Sequence, residues 1–341
     1  MSDDRYARQT RFGPLGNDAQ VRLGAARVVL VGCGALGSAV ANGLVRAGVG
    51  HLTILDRDYV ELSNLQRQVL FDESHVADDL PKAIAASRVL AKVNGEVSLE
   101  PVVVDVHGGN VEDLFAGADL VIDGTDSIET RGIVNEAAVK LGISWIYGGV
   151  VGSTGMSMTV IPGETPCLRC VFPHAPAPGS LPTCQTAGVI GPAVEAVGAI
   201  QTVEAMKLLT GHRSSLHGGL VTLDMWTVKM DTVPTGAPRT GCPVCERREF
   251  PGLGTTGRQA VSLCGRDSMQ VSSHPPAPVD LTALARRLDG LGDVRLTPFL
   301  LRFTPSPLGR GLTVFPDGRA IVHDTTEPSV ARADYARWVG H

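Results

Sequence analysis

The run Arg27-Val28-Val29-Leu30-Val31-Gly32-Cys33-Gly34-Ala35-Leu36-Gly37 joins a short apolar segment to three glycines spaced Gly-x-Gly-x-x-Gly. An Ala/Val/Leu-rich stretch then continues to Ala47 with helical character. A buried strand, a glycine loop and a helix in this order form the mononucleotide-binding arrangement. The glycines permit a tight turn and close backbone approach, and the helix N-terminus attracts phosphate. Packing alone, or a nicotinamide or flavin enzyme, would account for the loop equally well, so its surroundings must decide.

Working outward, residues 51–55 read as the next strand, ending on Asp56. A carboxylate about 20 residues beyond the loop is placed to accept ribose hydroxyls. Residues 101–104 and 120–122 are two further compact apolar runs, the second leading into Asp123-Gly124-Thr125-Asp126. Helical segments over 38–47 and 81–93 alternate with these strands, which predicts a parallel sheet covered on both faces. From Trp145 the chain becomes β-rich, with alternation clearest over 155–161. A Pro-rich loop over 173–182, a long helix over 192–209 stopped by Gly211, and a strand over 220–223 follow.

The expected fold is therefore α/β: a Rossmann-like, doubly wound, mainly parallel sheet continued by antiparallel strands. Residues 1–250 form this domain, 251–259 read as a Gly-rich linker, and 260–341 as a small α+β appendage suited to docking a partner. In the appendage, Gln270-Val271 reads as a strand, 281–288 as a helix, and 312–314 with 320–322 as a strand pair across Pro316-Asp317-Gly318.

A chain of 341 residues accommodates such a division. Its 43% hydrophobic and 19% charged content suits a globular protein rather than a disordered one. No run approaches the roughly 20 apolar residues of a membrane helix, and residues 1–11 lack a secretory core, so the expectation is a cytoplasmic protein without a membrane partner. A net charge of −5 argues against nucleic acid as partner.

After Asp56 comes Asp58-Tyr59-Val60-Glu61-Leu62-Ser63-Asn64-Leu65-Gln66-Arg67-Gln68, with Lys82 further on. A dinucleotide does not require these cations, whereas a triphosphate does while its pyrophosphate leaves. Arg67 offers a planar fork and Lys82 a compact charge. Asp126, at the carboxyl end of a parallel strand, is a hard ligand placed for magnesium.

Of seven cysteines, four form the pairs Cys167/Cys170 and Cys242/Cys245. Two Cys-x-x-Cys pairs can close a tetrahedral thiolate site around structural zinc. Cys33, inside the glycine loop, reads as a small packing residue.

Taken with Arg5-Tyr6-x-Arg8-Gln9, Ala47-Gly48-Val49-Gly50, Thr125-Asp126 and Thr183-Cys184, these motifs resemble the ThiF/MoeB adenylyltransferases, bacterial relatives of ubiquitin-activating enzymes. The resemblance spans roughly residues 5–249. It implies ATP as substrate, with Gly32, Gly34 and Gly37 lining its phosphates and Asp56 on the ribose. Asn64, Arg67 and Lys82 would hold the triphosphate and Asp126 would position Mg2+, while Zn2+ would fill the cysteine site. It also implies a homodimer in which Arg8 reaches the other subunit's site.

The implied reaction is adenylation of the C-terminal glycine carboxylate of a small ubiquitin-like, β-grasp sulfur-carrier protein ending in Gly-Gly. A sulfur donor such as a cysteine desulfurase or a rhodanese would act later, toward thiamine, molybdopterin or thiolated tRNA. Cys184 matches the family's loop cysteine, for which two readings stay open: covalent attachment of the activated carrier, or a non-catalytic thiol. Cys264 lacks the basic cradle loop expected of a rhodanese cysteine. Ala35 and Ser127 depart from the family's frequent glycine and asparagine, and 175–182 is a longer Pro-rich insert. Two other functions remain: a nicotinamide-dependent oxidoreductase, which leaves Arg67, Lys82 and the cysteine pairs superfluous, and an inactive scaffold that binds a ubiquitin-like protein.

Overall fold

The computed structural model describes residues 5–174, 186–254, 260–262, 267–272 and 277–340. They belong to two compact units, Met1–Thr256 and Gly257–His341.

The first unit is built on eight strands: β1 (Arg27–Val31), β2 (His51–Asp56), β3 (Ser98–Val103), β4 (Leu120–Asp123), β5 (Ser144–Val151), β6 (Thr154–Val160), β7 (Gly219–Asp224) and β8 (Lys229–Pro234). They form one sheet in the order β3-β2-β1-β4-β5-β6-β7-β8. Pairing is parallel from β3 to β5 and antiparallel from β5 to β8. The change of sense follows from the connections. Helices carry the chain between the parallel strands, whereas β5 turns directly into β6 through Gly152, whose φ of 63° suits glycine.

Strand β1 neighbours β2 on one side and β4 on the other, so the winding direction reverses there. That reversal leaves a crevice at the carboxyl ends of β1 and β4, where ligands bind in such sheets. Val28 and Leu30 of β1, and Leu120, Val121 and Ile122 of β4, are fully buried. Such continuous apolar runs are what strands covered on both faces require.

The helix after the glycines, Ala35–Ala47, begins three residues before the apolar run suggests. Ala35 is not among the residues with positive φ, so alanine is tolerated there. Helix Gly191–Leu209 crosses it closely: a Cβ on Gly43 would lie 2.7 Å from Thr202, and one on Gly198 2.7 Å from Ala39. Gly211, with φ of 85°, follows that helix's end as expected. Helix Ile128–Leu141 and strand β8 were not legible in the sequence pattern.

In the second unit, β9 (Ala260–Ser262), β10 (Ser268–Val271), β11 (Gly292–Leu296), β12 (Leu301–Pro305), β13 (Leu312–Val314) and β14 (Ala320–His323) form a sheet in the order β11-β12-β13-β14-β10-β9. Helices Leu281–Leu288 and Pro328–Trp338 pack Leu281, Leu284, Leu288, Ala331 and Tyr335 onto one sheet face, against Leu301, Phe303 and Val314. Among the described residues no helix is long and apolar enough to cross a membrane.

Candidate functional site

The crevice is shaped first by backbone contact. Gly32, at φ 87°, lies where a Cβ would come within 2.9 Å of the Gly124 backbone, and a Cβ on Gly37 would collide with the Gly32 carbonyl. These two glycines let β1, β4 and the following helix meet. Gly34 differs, since a Cβ there would find the Gln68 amide at 3.8 Å as its nearest neighbour. Its backbone stays open for a ligand to approach.

Asp56 ends β2 beside this loop. Its Oδ2 accepts the Cys33 N–H at 2.6 Å and its Oδ1 the Asp58 N–H at 2.7 Å. Burial pushes its carboxyl above the usual range, against the opposing pull of Lys82. Lys82, at the start of helix Lys82–Val93, is itself buried and places Nζ 3.1 Å from Asp58 Oδ2.

In the run 62–68, Asn64 is buried and its Oδ1 accepts the Glu61 N–H at 3.1 Å. It therefore fixes the turn that carries Arg67, whose Nη1 donates to the Ser63 carbonyl at 2.9 Å. Gln68 is buried near Gly34, with no partner for its Oε1 among the described residues.

Asp126 is exposed beyond the end of β4. Its charge acts on Arg57, next to Asp56, and on Arg131. Ser127 serves as N-cap of helix Ile128–Leu141, its Oγ accepting the Thr130 N–H at 3.2 Å. The glycine loop, Asp56, Lys82 and Asp126 thus surround one crevice, with Asn64 and Arg67 on the run beside it.

Arg8 lies elsewhere. Tyr6 accepts a hydrogen bond from Asn94 at 2.7 Å and crowds Gly48, while Gln9 donates to the Ala47 carbonyl at 2.9 Å. Exposed Arg8 is therefore at the C-terminal end of helix Ala35–Ala47, whose 13 residues extend about 20 Å from the glycine loop.

The four cysteines form a separate cluster. Sγ of Cys167 lies 3.8 Å from Cys170 and 3.7 Å from Cys242, and Cys170 lies 3.4 Å from Cys245. Four thiolates around zinc at about 2.3 Å stand about 3.8 Å apart, so the cluster fits that ion. Although burial opposes ionisation, the Cys245 and Val244 N–H groups help hold the Cys242 thiol down to about 7. Asn135 braces the knuckle by accepting the Leu168 N–H at 2.9 Å.

Cys33 is fully buried and its thiol is pushed up by burial, which fits packing. Cys184 and Cys264 lie outside the described residues, as does the whole Pro-rich insert 175–182.

The sequence reading passed over Arg57, Asp123, Arg131 and Gln201. Arg131 had no legible signal, because the helix that carries it, Ile128–Leu141, shows no clear sequence pattern.

Residues 6–244 match the model of the ThiF family. The chain is 42% identical over 339 residues to the sulfur carrier protein ThiS adenylyltransferase of Bacillus subtilis, covering 98% of this chain and 99% of that protein. It is 41% identical over 244 residues to the SAMP-activating enzyme E1 of Haloferax volcanii, covering 71% of this chain and 88% of that one. The Escherichia coli ThiS adenylyltransferase is 36% identical over 242 residues, covering 71% and 94%. In fold alone, the crystal structure of E. coli MccB with ATP is similar at a TM-score of 0.61 and 23% identity, covering 71% of this chain and 74% of that one.

Proposed function

The chain belongs to the ThiF family, and on that premise we propose that it adenylates the C-terminal glycine carboxylate of a small β-grasp sulfur-carrier protein, using ATP. The end-to-end likeness to a ThiS adenylyltransferase carries this reading. The crevice supports it by gathering phosphate-seeking backbone, a ribose-facing carboxylate, a buried lysine and an exposed aspartate.

The carrier's carboxylate is already ionised at neutral pH, so no base is required. Its oxygen attacks the α-phosphorus, the bond from that phosphorus to the bridging oxygen breaks, and pyrophosphate departs with the electron pair. Gly34 and the helix N-terminus bind phosphate oxygens, Gly32 and Gly37 give the loop the close packing that brings them there, and Asp56 accepts ribose hydroxyls. Lys82 and Arg67 steady the triphosphate, Arg67 on a turn that Asn64 fixes. Asp126 would hold Mg2+, which supplies charge neutralisation for the leaving group when bound. Positioning and charge stabilisation account for the rate.

Arg8, beside the far end of helix Ala35–Ala47 from its own chain's glycine loop, serves the site of a second subunit in a homodimer. Cys167, Cys170, Cys242 and Cys245 hold structural Zn2+. The unit over 260–341 serves partner docking, including a later sulfur donor. Nearly the whole E. coli ThiS adenylyltransferase is matched by 71% of this chain, so this unit lies outside the part shared with that relative.

The test is carrier-dependent exchange of labelled pyrophosphate into ATP by zinc-replete protein. Exchange is expected with the cognate carrier. ATP uptake without exchange would leave a scaffold, and uptake of a nicotinamide dinucleotide without ATP would overturn the reading.

A further inference from the structure

Between β4 and helix Ile128–Leu141 lies an ion pair that the proposed chemistry does not use. Arg131 Nε stands 2.9 Å from Asp123 Oδ2, with the Asp123 side chain fully buried and that of Arg131 14% exposed. Burial pushes the Asp123 carboxyl up against the pull of Arg131. Such a pair is a weak source of stability, because desolvation of both charges offsets their attraction. Its directional bonds suggest another purpose.

Arg131 Nη2 donates to the Thr125 carbonyl at 2.6 Å and to the Gly148 carbonyl at 2.8 Å. Asp123 Oδ1 accepts the Thr125 N–H at 3.0 Å, so both backbone groups of Thr125 are held. On the far side, Thr125 Oγ1 accepts the Ser127 N–H at 3.1 Å. Beneath the pair, Gln201 Nε2 donates to the Asp123 carbonyl at 2.9 Å, and the Tyr147 ring lies 5.3 Å from the Arg131 guanidinium. Three of these bonds fix the residues on either side of Asp126, Thr125 and Ser127, and the others fix the pair itself, while Asp126 stays exposed.

We infer that Asp123 and Arg131 are positioning residues that aim the Asp126 carboxylate at the divalent ion accompanying ATP. The inference rests on the adenylation reading and on Asp126 as the metal's ligand. Arginine is needed because its planar fork reaches two carbonyls while pairing with the carboxylate; a lysine ammonium cannot span all three.

The test compares wild type with Arg131→Lys and with the double variant Asp123→Asn/Arg131→Met, which removes both buried charges and so keeps a foldable chain should the single change prove unstable. The readouts are pyrophosphate exchange against magnesium concentration, and Mn2+ binding measured by electron paramagnetic resonance with a non-hydrolysable ATP analogue present. In folded variants we expect Mn2+ affinity to fall about tenfold or more and kcat to fall on the order of 10²-fold, the scale of a misplaced catalytic group. KM for ATP should stay within about threefold, because the glycine loop and Asp56 are untouched. Folded variants with wild-type Mn2+ affinity and magnesium demand would overturn the inference. Absence of exchange in the wild type with its cognate carrier would instead defeat the adenylation reading.

Discussion

Lys82 Nζ lies 3.1 Å from Asp58 Oδ2, with the lysine side chain 6% exposed and the aspartate side chain 27% exposed. The cation is held at the crevice before any triphosphate arrives, by a partner that can still be hydrated. Lys82→Met keeps the packing of the stem and removes the charge. The expected result is a loss on the order of 10²-fold or more in kcat/KM for ATP-dependent exchange, with stability lowered by about 3 kcal/mol or less, because Asp58 can resolvate but buried Asp56 loses the cation that offsets its burial. Steady-state kinetics beside urea titration separates the two effects, and retained kcat/KM would remove Lys82 from the site.

Asp126 is exposed, so Asp126→Ala should leave stability within about 0.5 kcal/mol. Adenylation should vanish at every magnesium concentration. Near-normal turnover in the variant would mean that another group holds the metal.

The sulfur spacings at Cys167, Cys170, Cys242 and Cys245 predict one zinc per chain, read by a colorimetric chelator after denaturation. Cys245→Ser should reduce that stoichiometry and weaken the unit by about 3 kcal/mol, roughly 6–12 °C in Tm for this size. A variant that melts with the wild type would mean the thiolates do not support the fold.

Burial depresses the His217 imidazole below its ordinary value, despite the attraction of Glu204 at 3.3 Å, and nearby Lys207 adds to the depression. The unfolded chain therefore takes up a proton that the folded chain resists. The stability contribution is fully present above about pH 6.5 and drains as pH falls through the folded value. His217→Gln should flatten Tm against pH on the acid side. An unchanged slope between about pH 5 and 7 would assign the acid sensitivity to other groups.

For Cys184, substitution by alanine should spare adenylation and eliminate any reducible adduct between chain and carrier. Mass spectrometry under non-reducing conditions decides it: an adduct that survives in the variant excludes this thiol.

The parallel half of the sheet was legible because β1 and β4 are short, continuous apolar runs punctuated by glycine or aspartate. Helix Leu281–Leu288 was found at its true bounds because its leucines fall on one face over a core. By contrast, β8 is exposed at every position and offers no alternation to read. Helix Ile128–Leu141 buries Asn135 among its apolar residues, and helix Pro328–Trp338 buries Ala331 and Tyr335 among several charges, so neither shows a clean stripe. At the site, the glycines, Asp56, Lys82 and Asp126 follow a motif with fixed spacing. Arg131 does not, since its partners Asp123 and Gly148 sit on separate strands and are brought to it by folding alone.

The cysteine knuckle joins positions 75 residues apart, and the span it closes includes helix Gly191–Leu209 and strands β7 and β8. Closing so long a loop in the unfolded chain costs only a little more entropy than closing a short one. Metal loading would therefore act as a clasp on the antiparallel half, making it melt as a single cooperative block. Cys184 falls within the clasped span in sequence, between Cys170 and Cys242.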